Sequence, residues 1–368
     1  MIAIVYPQFY GVGGIARYLD SFLANLPLDH PQIYLITGDE NRQPIGYEGV
    51  EIIHIPFTSN RFAMIIWMLK ARRILLQLYK QRKISWVNLH IPPLIPGLLL
   101  PKKIPLLLTA HTTYLGMSGN FYKTKYFESQ WNQLALSIKS WMESVIFNRT
   151  KKMITLTEQG QQEVLAYGYK NPIVVIPNGV DLTKFTPNSQ IEKDIDVLFC
   201  GRIERRKGSH GIVSLCHQLV AAKSNIKIVI VGYGEDEVWV KTQLAPYANN
   251  ITMTGQVSFK EAIEFYQRSR VYASTSYYEG LPGTCLEAMA MQLPVVVWDF
   301  LFYRGLVNDA ETGHIVAIDD FQQMTAKVIY LLENPEFSAQ LGESARLHLA
   351  ERYGWDKLAK EVLLAFNQ

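Results

Sequence analysis

Two carboxylates, Glu279 and Glu287, frame the stretch YYEGLPGTCLEAMA, with seven residues between them. The stretch follows a strand-like run, Val271 to Thr275, and opens a helix. At such a turn an open α/β sheet presents a ligand to a helix N-terminus. Acidic side chains at both ends of a run of backbone N–H groups suit a molecule with hydroxyls at its ends and a diphosphate between them. A nucleotide sugar has that shape. Pro282 and Gly283 stand where the helix begins and leave the amides of Thr284 and Cys285 for phosphate oxygens, with Gly280 and Leu281 completing the turn. Glu279 then faces the sugar and Glu287 the ribose. Glu287 has a competing explanation: Thr284-Cys285-Leu286-Glu287 reads as a capping box, in which the glutamate bonds back to the cap amide. That explanation does not reach Glu279, which precedes the helix.

Three further groups could act on such a ligand. Gly201 to Gly208 (GRIERRKG) follows the strand-like Asp196–Cys200. Arg202 at the strand end and Lys207 near the next helix could clamp a diphosphate and neutralise its charge as it leaves; a solvated basic turn explains them equally well. His111 follows Pro105–Thr109, where it could hydrogen-bond a sugar hydroxyl or accept a proton, although a lone histidine is more often a structural hydrogen-bonder. Gly11-Val12-Gly13-Gly14 follows Ile2–Tyr6 and would let backbone approach an anion. Through Ala16 the same glycines fit G-x-G-x-x-A, a dinucleotide fingerprint, with Asp39 and Glu40 spaced for a ribose. That keeps an NAD-dependent dehydrogenase open, but Pro7-Gln8-Phe9-Tyr10 intervene where the fingerprint has glycine directly after the strand. A plain strand-to-helix turn is the third reading.

The elements that must position these groups are short apolar runs alternating with longer amphipathic ones. Candidate strands are Ile2–Tyr6, Ile33–Thr37, Val50–Ile55, Trp86–Leu89, Pro105–Thr109, Lys152–Thr155 and Ile173–Ile176. The pattern restarts after Asp194 with Asp196–Cys200, Ile226–Val231, Ile251–Thr254, Val271–Thr275, Pro294–Trp298 and His314–Val316. Helical stretches such as Gly14–Asn25, Arg61–Arg82, Glu158–Tyr167 and Phe259–Arg268 lie between them. Such alternation predicts parallel sheets, and its restart predicts two doubly wound α/β domains, residues 1–176 and 194–351, joined by an aperiodic linker at 177–193.

Length excludes one small core: 368 residues suit two ordinary domains. Charge is unevenly placed, net +8 over residues 1–170 and net −5 over the rest. Between Ile52 and Phe127 eleven Lys or Arg occur with no acid, which points to an anionic partner for the first half. Arg61–Lys83 mixes bulky apolar residues with bases, as would an interfacial helix on an anionic membrane or an ordinary amphipathic helix of the sheet. No run of about eighteen apolar residues lacks charge or proline, so no spanning helix is expected. MIAIVYP lacks the features of a signal peptide, and three cysteines at no metal spacing suit a reducing compartment. The expectation is a cytoplasmic protein, peripheral at the inner face of the plasma membrane if it binds lipid, with no nucleic-acid partner.

Taken in order, these residues resemble the retaining glycosyltransferases of family four, which have the GT-B fold. The resemblance runs through Gly13-Gly14, His111, the segment Ile176-Pro177-Asn178-Gly179-Val180-Asp181, Gly201-Arg202 with Lys207-Gly208, Ile228–Gly234, and Glu279 to Ala290. It implies two facing Rossmann-like domains, acceptor mainly on the first and donor mainly on the second, with residues 352–368 crossing back to the first domain. It implies Arg202 and Lys207 at the diphosphate, Glu287 at the ribose, and Glu279 at the transferred sugar. His111 falls at the sugar's primary hydroxyl region, Gly13 or Gly14 against the phosphate, and Gly232, Gln256 and Val257 near the base. No metal or other cofactor is implied. The implied reaction moves a hexose, first of all glucose from UDP-glucose, to a saccharide or lipid-linked acceptor in polysaccharide biosynthesis, with anomeric retention. A non-catalytic nucleotide-sugar-binding protein and a GT-B epimerase are the alternatives within the fold. Two departures bear on the sugar pocket: Gln292 stands where the family usually has glycine, and Trp298–Arg304 (WDFLFYR) stands where a Gly-rich turn is common.

Overall fold

Runs that are apolar along their whole length can be buried only where both faces of a sheet are covered. Among the described residues thirteen short runs, most of them largely apolar, become strands, and all pair in parallel. A computed structural model describes residues 1–9, 13–38, 46–56, 61–91, 100–119 and 130–366. Its contacts divide them into two units. The first holds residues up to Gly179 together with Trp355 onward, and the second runs from Val180 to Gly354.

In the first unit, β1 (Ile2–Val5), β2 (Ile33–Thr37), β3 (Val50–His54), β4 (Trp86–Ile91), β5 (Leu106–Ala110), β6 (Lys152–Thr155) and β7 (Ile173–Val175) form one sheet in the order β3-β2-β1-β4-β5-β6-β7. In the second, β8 (Ile195–Cys200), β9 (Ile228–Val231), β10 (Ile251–Gly255), β11 (Ser269–Ser274), β12 (Val295–Trp298) and β13 (His314–Val316) are ordered β10-β9-β8-β11-β12-β13. Each sheet therefore reverses direction beside its first strand, between β1 and β4 and between β8 and β11. Crevices for ligands open at the carboxyl ends of such strands. The expected doubly wound α/β class holds in each unit.

Helices cover the sheets by ordinary periodicity. Gly14–Ala24 buries Tyr18, Leu19, Phe22 and Leu23 on one stripe. Phe259–Arg268 starts with a capping box, Ser258 Oγ accepting from the Glu261 amide and Glu261 Oε2 from the Ser258 amide. The last helix, Trp355–Leu364, packs on the first unit. The Trp355 ring lies 5.0 Å from that of Tyr18, edge to face, and a Cβ on Gly179 would come within 2.8 Å of it. Buried Lys152 donates from Nζ to the Ala365 carbonyl at 2.9 Å, fastening the segment to β6.

Candidate active site

In the second unit, the loops after β8 and β11 leave the two strands that flank the switch point. They are stitched together. The Tyr277 and Tyr278 amides donate to the Arg206 carbonyl at 3.0 and 3.3 Å, and Thr275 Oγ1 donates to the Gly208 carbonyl at 2.9 Å. Gly208 has φ 76°, and a Cβ there would lie 1.9 Å from the Thr275 carbonyl oxygen, so this approach requires glycine. The Arg206 guanidinium closes the turn on the Tyr278 carbonyl (3.2 Å) and Glu204 (2.5 Å).

This stitching brings Lys207 to Glu279, 72 residues later, and Lys207 Nζ donates to Glu279 Oε1. Ser276 Oγ donates to the same oxygen at 3.2 Å. Ser276 is held in turn by Ser274 Oγ (3.3 Å), which accepts from Tyr303 Oη (2.7 Å). A buried hydroxyl chain thus fixes a carboxylate that is 7% exposed. Burial pulls the Lys207 ammonium below its ordinary range, and the Glu279 charge opposes that pull. Arg202 lies in the same loop. Its side chain is 60% exposed and pairs with Glu204 Oε2 at 3.2 Å.

The helix Gly283–Ala290 corrects two expectations. Its amides at Cys285 and Leu286 both donate to the Pro282 carbonyl at 3.1 Å. Cys285 therefore offers no amide to a ligand, and its side chain is fully buried, which pushes the thiol up. At the start of this helix the amides of Gly283 and Thr284 have no acceptor among the described residues, and a Cβ on Gly283 would meet nothing within 4 Å. Nor do Thr284 and Glu287 form a capping box. Thr284 Oγ1 bonds Tyr272 Oη at 2.8 Å, and Glu287 Oε2 accepts from Tyr266 Oη at 2.9 Å. Buried tyrosine hydroxyls need partners and take these two. Gly280 is half-buried, as is Leu281, which packs on the core; Pro282 is buried.

At the end of β9, Gly232 has φ 138° and donates its amide to the Gly255 carbonyl at 3.0 Å. A Cβ there would sit 1.8 Å from the Gly201 carbonyl oxygen. Gln256 and Val257 follow β10, the first exposed and the second half-buried against the core. The Phe300 to Tyr303 segment is packed inward rather than lining an open pocket: Phe300 stacks on Phe302 at 5.3 Å, and Tyr303 is fully buried. Gln292 keeps a left-handed backbone (φ 57°), the conformation a glycine would take without strain.

In the first unit, Gly13 is extended and precedes the helix Gly14–Ala24. A Cβ at Gly13 or Gly14 would meet nothing within 4 Å, so packing among the described residues does not ask for glycine there. Gly11, Val12, Asp39 and Glu40 lie outside the described residues. His111 is 8% exposed at the end of β5, and its Nε2 lies 2.9 Å from His90 Nδ1. Burial pushes the His111 ring down to about 3, which keeps it neutral at physiological pH. Below the loop that carries it lie two buried acids. Glu163 accepts from Thr113 Oγ1 at 2.5 Å, and Glu143 accepts from the Tyr114 amide at 2.7 Å and Tyr167 Oη at 2.5 Å. Burial raises Glu143 to about 8.

Sequence reasoning missed His90, Asn88, the Ser274–Ser276–Tyr303 chain and both buried acids. For Asn88 and His90 a signal existed: two polar residues at i and i+2 of an otherwise apolar strand share one face. No group of three or more His, Cys, Asp or Glu that could hold a metal ion occurs among the described residues.

Comparison with known proteins adds the family. Residues 12–184 match the model described as Glycosyltransferase Family 4, and residues 182–348 that of Glycosyl transferases group 1. An uncharacterized glycosyltransferase of Methanocaldococcus jannaschii is 23% identical over 99% of this chain and 98% of its own length. A phosphatidyl-myo-inositol mannosyltransferase of Mycolicibacterium smegmatis is 29% identical over 58% of this chain, an alignment that spans 55% of the mannosyltransferase. Among solved structures, sucrose-phosphate synthase from Thermosynechococcus elongatus superposes with a TM-score of 0.81 at 18% identity, covering 100% of this chain and 98% of the other. HepE of Anabaena, solved in complex with UDP and glucose, gives 0.76 at 13% identity, with 100% and 99% covered. The chain belongs to the GT-B glycosyltransferases of the family-four type, enzymes that transfer a sugar from a nucleotide sugar.

Proposed function

We propose that this enzyme transfers a hexose, glucose from UDP-glucose in the first instance, to a saccharide or lipid-linked saccharide acceptor with retention of anomeric configuration, as a step of polysaccharide assembly. The observation that carries the reading is the Lys207–Glu279 pair, held by Ser276 at the switch point of the second sheet. The free amides of Gly283 and Thr284 begin the helix that follows the same loop. A departing diphosphate gathers negative charge, and Lys207, Arg202 and these amides are the donors that would meet it without a metal. Glu279 Oε1 is taken by Lys207 and Ser276, so Oε2 is the oxygen for a sugar hydroxyl. Glu287, kept in place by Tyr266, would take the ribose. No carboxylate is assigned as a nucleophile: the acceptor attacks on the face the diphosphate leaves, and the leaving phosphate helps remove its proton. The test is a donor screen with UDP-, GDP- and ADP-sugars, read by released nucleoside diphosphate. Release from none of them, with or without saccharide acceptors, ends the proposal.

Peripheral attachment to the cytoplasmic face of an anionic membrane belongs to the same reading. The helix Arg61–Lys80 buries Trp67, Ala71 and Leu75 but exposes Ile65, Ile66 and Leu69 beside exposed Lys70 and Arg73. The helix Gln130–Phe147 packs Ile146 and Phe147 into the same core cluster and exposes Leu134, Ile138, Trp141 and Val145 at helical spacing. Apolar groups flanked by bases suit an anionic interface. No helix among the described residues is long and apolar enough to cross a membrane. Sedimentation with anionic vesicles at low salt should carry the protein down; recovery wholly in the supernatant removes the membrane from the proposal.

A further inference from the structure

In the second unit, three buried hydroxyls stand in file behind the carboxylate of Glu279. Tyr303 Oη donates to Ser274 Oγ at 2.7 Å, Ser274 Oγ to Ser276 Oγ at 3.3 Å, and Ser276 Oγ to Glu279 Oε1 at 3.2 Å. The file runs one way. A carboxylate paired with Lys207 only accepts, so Ser276 spends its single proton on Glu279 and turns a lone pair to Ser274. Ser274 must then donate to Ser276 and accept from Tyr303, whose phenol heads the file. Ionisation does not remove that head: burial, with Cys285 and the Glu279 charge beside it, pushes the Tyr303 phenol up. Tyr303 is anchored in its own loop. Its amide donates to the Phe300 carbonyl at 3.0 Å, and its carbonyl accepts from the Leu306 and Val307 amides at 3.1 and 2.8 Å. Two residues on, the Gly305 carbonyl accepts from Tyr353 Oη at 3.1 Å and lies 2.9 Å from His348 Nε2. Tyr303 belongs to Trp298–Arg304, the stretch that stands where the family often has a Gly-rich turn.

We infer that Tyr303 is a positioning residue for sugar transfer: through Ser274 and Ser276 its phenol holds Glu279 Oε1 in place and leaves Oε2 as the oxygen offered to the donor sugar. The inference rests on the proposed reading of Glu279 as the carboxylate that meets the sugar. The last torsion of a glutamate is broad and two-fold, so hydrogen bonds alone decide which oxygen faces which partner. Oε1 has Lys207 and Ser276, and Oε2 has no partner among the described residues. Without the phenol, Ser274 has no donor to orient it, Ser276 can turn its proton back to Ser274, and Lys207 alone holds Oε1. The carboxylate is then free to swing. The file ends on Glu279. Glu287 is held by a different phenol, Tyr266, and the Gly283 and Thr284 amides take no part, so loss of the file acts on the sugar and spares the nucleotide.

Tyr303→Phe keeps the ring and deletes the donor, and Ser274→Ala cuts the file one link further on. Denaturant midpoints of the full chain, for the parent, both single variants and the double variant, read the file without any ligand. The double variant should lose less than the two single losses added together, because either cut frees the same hydroxyls; strictly additive losses overturn the file. Calorimetric titration should give each single variant the parental affinity for UDP but an affinity for UDP-glucose weaker by roughly three- to tenfold, the worth of one neutral hydrogen bond. In transfer assays kcat/KM should fall by the same factor in each single variant and no further in the double variant. Parental UDP-glucose affinity and parental kcat/KM in Tyr303→Phe would show that the phenol positions nothing. Equal weakening toward UDP and UDP-glucose would assign Tyr303 to the packing of its loop and overturn the inference. If the parent binds none of the UDP-, GDP- or ADP-sugars while the midpoints stay non-additive, the sugar reading of Glu279 falls and the positioning role falls with it, although the file stands.

Discussion

Replacing Lys207 by alanine separates a structural from a chemical role. The side chains of Lys207 and Glu279 are 21% and 8% exposed, so Lys207→Ala leaves a nearly buried carboxylate with Ser276 as its remaining partner. Breaking a fully buried pair costs about 3–5 kcal/mol; with Lys207 a fifth exposed, about 2–3 kcal/mol is expected here. For a unit of this size that lowers Tm by roughly 5–10 °C, at about 2–4 °C per kcal/mol. Turnover should fall by roughly a hundredfold, about 2.7 kcal/mol of lost transition-state stabilisation. The double variant Lys207→Ala/Glu279→Ala discriminates further. Removing the stranded charge should restore at least half of the lost stability while turnover stays low. Melting curves and nucleoside-diphosphate release on the three proteins measure both quantities. A Lys207→Ala enzyme that melts early but turns over at the parental rate would refute the clamp; an unchanged Tm would refute the buried pair.

Other outcomes follow from single features. Gln292→Gly should stabilise the protein by about 0.5–1 kcal/mol, since a left-handed non-glycine costs about 1–2 kcal/mol and glycine gives part of that back as chain entropy; chemical denaturation checks it. His90 and His111 are neutral when folded but take up protons when unfolded below about 6.5, so stability falls as pH drops from 6.5 toward 3. His90→Phe should therefore lose less stability than the parent between pH 6.5 and 5, read by denaturation midpoints at both values. Glu143 has the opposite sign: it stays protonated in the fold up to about 8 while the unfolded group ionises near 4.5, so stability falls as pH rises across that window. Glu143→Gln should therefore gain at least about 1 kcal/mol over the parent at pH 8 and nothing at pH 4.5, read by denaturation midpoints at both values.

The sheets were legible because buried parallel strands write themselves as unbroken apolar runs. Ile33–Thr37, Lys152–Thr155 and His314–Val316 fall at their expected ends, and the others shift by one or two residues where hydrogen bonding, not hydropathy, sets the limit. The loops after β8 and β11 were legible as places where chemistry belongs, through glycines and charges at strand ends. Their internal pairing was not. Lys207 meets Glu279 only because Gly208 admits the Thr275 backbone, a contact between residues 67 positions apart that no local pattern announces. The Thr284–Glu287 capping box misled for a related reason: the hydroxyls that claim both side chains come from Tyr272 and Tyr266, on another strand and helix. No local pattern sets Glu143 and Glu163 apart, and only the fold shows them inside.

The first unit is a discontinuous stretch of chain, and its two cut points have a practical side. Gly179 and Trp355 touch, while Val180 bridges Gly354 and donates its amide to the Tyr353 carbonyl at 2.9 Å. An expression clone ending at residue 179 would strip away the indole that backs Tyr18 and expose its apolar bed to water. A gene that splices codon 355 directly onto codon 179 keeps that indole, and residues 180–354 form an uninterrupted reading frame whose ends already lie side by side. Expressing the two pieces separately tests whether each holds its fold alone, and a piece that does is open to separate ligand titration.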